Sequence, residues 1–239
     1  MYTEGSGAVN GSDMMVMKLF ADYAVASVPR SCRMRSSMPP SARSSTGSRR
    51  CCRAACWRPR PLLIEALDEQ VGHGRALLYP SGQRAPAPVA ALINGTASHT
   101  VEFDDIFRDA IYHPGCPVIA AALALGQARQ VDGDRFLRAV LVGYEVSTRI
   151  GAVMVPAHYK YWHSTGTVGC FGAAAAAAAI LGLDQIQFAN AMGTAGTFAA
   201  GLQQAFRSDS MTKPLHAGRA AETGVLAALG RRQGRDRGA

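Results

Sequence analysis

The chain has 239 residues, of which 48% are hydrophobic and 7% aromatic, with a mean hydropathy of +0.02. That suffices for one sizeable core and excludes a wholly disordered or collagen-like chain, while the shortage of aromatic residues weighs against a β-sandwich. The formal charge of +8 is local: nine of the 25 basic residues are arginines between positions 30 and 60, where there is no acid, leaving 16 elsewhere against 17 acidic residues. The remainder of the chain therefore presents no basic field of the kind that binds nucleic acid.

Residues 1–27 are predicted to hold one helix, over 13–27, with Val16, Leu19, Phe20, Tyr23 and Ala24 on a single stripe. Residues 28–61 are rich in Arg, Ser, Pro and Cys and show neither a helical nor a strand period, so they are expected to be disordered. Two other readings of this segment stay open. The pattern breaks and resumes without a turn signal, which fits an altered reading frame; a nucleic-acid-binding arm is opposed by Trp57 being its one stacking platform. Cys51-Cys52-x3-Cys56 lacks the second ligand pair that a zinc site needs. Cys116 and Cys170 are too few for a disulfide framework, so a reducing, cytoplasmic compartment is expected. The start of the chain has no basic n-region, so no secretory signal is expected.

Residues 62–230 read as an all-α domain. A short helix is predicted over 62–72, and residues 76–88 as a strand-like piece and a turn. Helices follow over 89–100, over 117–129 with Pro117 in its first turn, and over 134–153 with Asp134 as cap. Phe136, Leu137, Val140, Leu141, Tyr144 and Ile150 form the predicted apolar side of the last of these. An Ala-rich helix should start at Ser164 or Thr165, another should run from its cap Asp184 to about Gly193, and a last one from Pro214 to Leu229. The apolar run from Val168 to Leu183 is shorter than the roughly 20 residues that cross a bilayer, so it is expected to be a buried helix and no membrane partner is expected. Residues 231–239 form a basic tail.

Polar residues concentrate in three places. Residues 94–115 bring together His99, Glu102, Asp104, Asp105, Asp109 and His113. On a continuing helix His99 and Glu102 would share a face, with Phe103 toward the core. Asp104 and Asp105 would then sit at the helix C-terminus, where the dipole disfavours acids. A solvated acidic turn is the plain alternative. A magnesium–diphosphate reading of D-D-x-x-x-D finds no second acidic motif downstream, so no metal is expected. In the second place, His163 precedes the Ala-rich helix, where the N–H groups of Ser164 to Gly166 could meet an anion. In the third, Lys213 stands before the proline of a helix start, where a cation opposes the dipole and is better explained as a carboxylate clamp; His216 lies in the first turn. Each cluster alone could be surface or capping structure; three together at helix ends of an apolar body point to one convergent site.

The strings I-N-G-T-A-S-H-T-V-E-F-D-D, H-P-G, W-H-S-T-G-T-V-G and T-K-P-L-H-A-G-R, in that order over roughly residues 62–229, resemble the MmgE/PrpD family. That family includes 2-methylcitrate dehydratase and cis-aconitate decarboxylase. The resemblance implies an all-α helical domain, homodimerisation and cofactor-free lyase chemistry on di- or tricarboxylates. Dehydration of a 2-methylcitrate-like acid and decarboxylation of a cis-aconitate-like acid are both implied. It assigns Asp104, Asp105, His113, His163 and Lys213 to catalysis. Asn94, His99, Glu102, Ser164, Thr165, Thr212 and His216 are the expected substrate-binding residues. Glu102 and Ile106 stand where some relatives have Asp and Thr. Relatives normally continue into an α/β domain that closes over the site, so a truncated member with impaired activity, or a non-catalytic scaffold, is the alternative expectation.

Overall fold

The computed structural model describes residues 59–232, apart from 101, 155–156 and 208–209. The helix expected over 13–27, most of the Arg-rich segment and the tail from 233 onward lie outside the described residues. Within them the chain folds into seven α-helices and one small hairpin, as the all-α reading requires. In chain order these are α1 (Arg60–Ala66), β1 (Ala76–Leu77) paired antiparallel with β2 (Arg84–Ala85), α2 (Ala87–His99), α3 (Gly115–Arg129), α4 (Gly133–Met154), α5 (Ser164–Leu181), α6 (Gln185–Phe198) and α7 (Thr212–Arg232). Short 3₁₀ turns at Arg108–Ala110, His158–Lys160 and Gln203–Phe206 connect them.

The Ala-rich α5 is the axis of the fold. Ala173 to Ala178 are essentially inaccessible, and α3, α4, α6 and α7 pack around them. This is the one described helix long and apolar enough to cross a membrane, but 89% of it is buried inside the protein, as the sequence suggested for a core helix. Small residues explain how so many helices approach it. On α4 the side that meets α5 is Val142, Gly143, Val146 and Ser147, and a Cβ on Gly143 would lie 2.8 Å from the Gly172 carbonyl oxygen. The expected apolar side of α4 is therefore only partly right: Leu137 and Leu141 are exposed, because close helix contact selects the small residues rather than the largest apolar ones. The start of α4 also differs from expectation. Asp132 accepts the Arg135 N–H at 2.7 Å and acts as the cap, while Asp134 pairs with Arg138 one turn on. Asp184 caps α6 as predicted, in a reciprocal capping box with Gln187, and that helix runs on to Phe198.

The other close crossing joins α2 and α7. A Cβ at Gly95 would lie 2.9 Å from Gly218 Cα, and one at Gly218 would overlap Thr96 Oγ1 and the Leu92 carbonyl oxygen. Only hydrogen fits there, so the two helices meet backbone to backbone. That crossing sets the end of α2 beside the start of α7, and with it the first polar cluster beside the third.

The Asn94 amide is turned to the hairpin. Its Oδ1 accepts the Tyr79 N–H at 3.1 Å and its Nδ2 donates to the Leu77 carbonyl at 2.8 Å, which ties the hairpin to α2. Asn94→Ala would leave both backbone groups without these partners and should cost about 2 kcal/mol, while leaving any ligand affinity unchanged. Thermal melts and binding titrations of the variant check both halves.

Candidate active site

Helix α2 stops at His99 instead of continuing through Glu102. Glu102 adopts a left-handed backbone, φ 51°, and turns the chain outward, so Phe103 is 80% exposed rather than in the core. The expected helical pairing of His99 with Glu102 is thereby corrected. The turn folds Asp104 back onto the helix end: its Oδ2 lies 2.7 Å from His99 Nδ1, 3.5 Å from His113 Nδ1 and 2.8 Å from Cys116 Sγ. The Asp104 and His99 side chains are both fully buried. Burial alone would raise the Asp104 pKa, but the His99 hydrogen bond and charge, the Cys116 S–H and nearby His113 outweigh it and hold the carboxyl down at about 2. Asp104 is thus an anion that fixes His99 by its Nδ1.

Asp105 points elsewhere. Its Oδ2 accepts the Tyr144 hydroxyl at 2.9 Å and the Gly115 N–H at 3.2 Å, and its carbonyl oxygen receives His113 Nδ1 at 2.9 Å. It braces the loop and orients the His113 ring. The His113 N–H in turn donates to Thr165 Oγ1 at 3.2 Å, which gives Thr165 a positioning contact at the start of α5.

His163, the residue before α5, is only 1% exposed. Its ring stacks on His99 at 5.6 Å, packs edge-on against Phe206 at 4.8 Å, and sits with Nδ1 3.0 Å from His216 Nδ1. Gly166 makes room for this pair, since a Cβ there would lie 3.2 Å from His216 Cβ. His99 and His113 are 5.0 Å apart, so four of the six histidines form a continuous file: His113, His99, His163, His216. Burial first, then repulsion from His99, His216, Lys213 and His113, pushes the His163 pKa down to about 2. Burial also lowers His113 and His216.

The Lys213 ammonium lies 2.5 Å from Glu102 Oε2 and 4.9 Å from the Phe206 ring centre. Lys213 and His163 therefore flank the same aromatic ring. Three expectations need adjustment. The Gly166 N–H is bonded to the His163 carbonyl at 2.9 Å and is not offered to an anion. Thr212 is exposed, with its hydroxyl 2.7 Å from Ser210 Oγ. Helix α7 begins at Thr212, before the proline, so Lys213 is inside its first turn. Ser164 Oγ, His99 Nε2 and Asp104 Oδ1 are buried without a hydrogen-bond partner, as are five other side-chain atoms among the described residues. Two contributors were not read from the sequence. Cys116 entered the sequence reading only as one of two cysteines too few for a disulfide framework, although its position three residues after His113 is an available signal, and Phe206 carries none.

His99, Asp104 and His113 each place one ligand atom within 4.8 Å of the others, the dimension of a metal centre. Both Nδ1 atoms and Asp104 Oδ2 make the hydrogen bonds above, so the same set can also exchange protons. Its groups have a defined acid response. With His163, His113 and His216 lowered, the unfolded chain takes up protons below pH about 6.5 that the folded chain refuses, so stability falls as pH drops through that range. The depressed Asp104 adds a second loss between about pH 4 and 2. Melting temperatures measured from pH 8 to 3 should decline from near pH 6.5; a flat profile to pH 5 would contradict this.

Residues 53–236 match the family described as MmgE/PrpD N-terminal domain, and the chain belongs to that family. Among curated relatives, cis-aconitate decarboxylase of Homo sapiens is 37% identical over 151 residues, 61% of this chain and 31% of that protein. The Mus musculus protein of the same name is 36% identical over 152 residues, 60% of this chain and 30% of its own length. Cis-aconitate decarboxylase-like protein oryM of Aspergillus oryzae (strain ATCC 42149 / RIB 40) is 31% identical over 179 residues, 71% of this chain and 37% of that protein. The chain thus spans about a third of the length of the curated relatives it matches.

Proposed function

We infer that this domain carries the acid–base part of a lyase site for a small polycarboxylate, with decarboxylation of a cis-aconitate-like acid as the reaction. The carrying observation is the convergence of Asp104, His99, His113, His163 and Lys213, drawn from three distant stretches of chain, with His163 and Lys213 on either side of Phe206. The names of the relatives support decarboxylation over dehydration of a 2-methylcitrate-like acid.

Lys213 would exchange Glu102 for a substrate carboxylate, since both are oxyanions of the same geometry and charge. In decarboxylation the bond between carbon and the departing carboxylate breaks and CO2 leaves. The electron pair stays on carbon, delocalised toward a neighbouring carboxylate whose growing charge Lys213 stabilises. His113 or His163, protonated from solvent as the polyanion binds, then delivers one proton to that carbon and returns to neutral. Neutral, buried imidazoles suit this role because an added polyanion raises their basicity at the moment a proton is needed. Dehydration would use the same groups differently, one imidazole removing a C–H proton and another protonating the leaving hydroxyl.

The test is a turnover assay with cis-aconitate, 2-methylcitrate and citrate, following CO2 release and the unsaturated product by mass spectrometry. CO2 from cis-aconitate that disappears in His163→Gln supports the reading. Turnover of 2-methylcitrate alone would transfer it to dehydration, and failure of all three acids either to react or to bind would leave a helical scaffold.

A further inference from the structure

Two imidazoles and one carboxylate meet at the end of α2. His99 is the last residue of that helix, Asp104 returns to it after the left-handed turn at Glu102, and His113 directly precedes Pro114, the cap of α3. His99 Nδ1 lies 2.7 Å and His113 Nδ1 3.5 Å from Asp104 Oδ2, and the three atoms are all within 4.8 Å of one another. Donors held about 2.0–2.2 Å from one tetrahedral cation stand roughly 3.3 Å apart. The set therefore needs only a small opening between His99 and Asp104 to surround an ion.

We propose that His99 Nδ1, His113 Nδ1 and Asp104 Oδ2 form a binding site for one divalent transition cation of the zinc class. The site goes beyond the lyase reading and stands without it. The D-D-x-x-x-D pattern gives no reason to expect it, since that pattern concerns magnesium and lacks its second half; this set draws on different donors. Imidazole nitrogen favours zinc, iron, cobalt or nickel, whereas magnesium and calcium prefer oxygen. Three protein donors leave one position of a tetrahedral cation open to water or an external ligand. The cation enters where His99 Nδ1 now faces Asp104 Oδ2 and draws His113 Nδ1 from the Asp105 carbonyl oxygen, 2.9 Å away. Each ring then carries its proton on Nε2 and stays neutral.

The surroundings suit such an ion. The Asp104 carboxylate is fully buried, and its other oxygen, Oδ1, has no hydrogen-bond partner. The Cys116 S–H, on α3, donates to Oδ2 at 2.8 Å and fixes the carboxylate from a further side. The His113 side chain is 18% exposed, which gives an ion entry from solvent. Lys213, the cation that acts on His113 from α7, is paired with Glu102, so its repulsion of an incoming ion is partly cancelled. A filled site engages His113 and leaves His163, stacked on the far side of His99, as the imidazole that delivers the proton of the lyase reading.

The experiment titrates the full chain, stripped with EDTA, with CoCl2 and with ZnCl2 at pH 7. One equivalent of Co²⁺ should give the visible ligand-field bands of a nitrogen–oxygen site. One equivalent of Zn²⁺ should displace it and raise the melting temperature. Asp104→Asn, which keeps the shape and loses the charge, and His113→Ala, at the partly exposed ligand, should each weaken binding about a hundredfold or more. His158→Gln, at a histidine bonded to Thr167 outside the set, should bind as the parent does. No binding at about 1 mM ion overturns the proposal, as does undiminished binding in a folded His113→Ala. Because the variants can fail to fold, X-ray absorption at the zinc edge of the loaded, unmodified protein gives a second readout. It should show two imidazoles and oxygen; a shell of sulfur would place the ion on cysteines and refute the assignment. Turnover of cis-aconitate by a chain that binds no cation would remove this site and leave the lyase reading untouched.

Discussion

Lys213→Met should reduce affinity for cis-aconitate, and any turnover of it, by about a hundredfold or more. The methionine keeps the length and most of the apolar stem that lies against Phe206, so the loss reads the charge and not the packing. Stability should barely change. The Lys213–Glu102 pair is partly exposed, and such pairs contribute about 0.2–1 kcal/mol, within which the melting temperature should stay. Lys213→Arg should recover only part of the binding, because a planar guanidinium fills a different volume from an ammonium above the same ring. The measurement is a binding titration of the three proteins alongside their melts. Affinity for the acid within threefold of the unmodified protein in Lys213→Met would remove the cation from the account.

The second large effect concerns the scaffold. Gly218→Ala should lower stability by about 3 kcal/mol, a fall of roughly 6–12 °C in melting temperature for a domain of this size. The added methyl meets Thr96 Oγ1 and the Leu92 carbonyl oxygen of α2, which are main-chain or tightly packed atoms without room to yield. Gly218→Val should prevent folding. By contrast Gly230→Ala, on the same helix, meets nothing within 4 Å and should be neutral or slightly stabilising, since alanine is the better helix former. Chemical denaturation of the three variants separates the cases; a Gly218→Ala protein as stable as its parent would show that α2 and α7 are not in backbone contact. The same crossing presents His99 and His216 to each other through His163, so Gly218→Ala should also weaken ligand binding.

Much of this fold is legible in the sequence because its helices are marked at their ends. Asp184 with Gln187 forms a capping box, Pro117 lies in the first turn of α3, and the polyalanine run can hardly be anything but an enclosed helix. What is not legible follows from packing. The apolar side assigned to α4 by residue size gave Leu137 and Leu141 to the core, yet contact with α5 at close range favours Gly143 and Ser147. Periodicity reports which residues share a stripe and not how near the neighbouring helix lies. Similarly, Asp132 and Asp134 are equally good caps by composition, and only the actual first turn of α4 decides between them.

The site divides in the same way. Of the residues the motifs pointed to, Asp104 lies beside His113, and His163 and Lys213 flank Phe206. Their division of labour was not readable. Asp105 is next to Asp104 in sequence but is taken up by Tyr144 and Gly115, because the loop after His99 is not helical and sends adjacent side chains apart. Asn94, within the strongest motif, serves the hairpin. His99 and His216 were assigned to substrate contact, and their placement in a file with His163 depends on the α2–α7 crossing, which no local pattern encodes.

The most direct measurement of the central claim is a crystal structure of the protein grown with cis-aconitate. One carboxylate should sit on Lys213 Nζ in place of Glu102, with the carbon skeleton against His113 and His163 and a further oxygen near Ser164 Oγ. A complex in which the acid binds elsewhere on the surface, with Lys213 still on Glu102 and the four histidines untouched, would contradict the account.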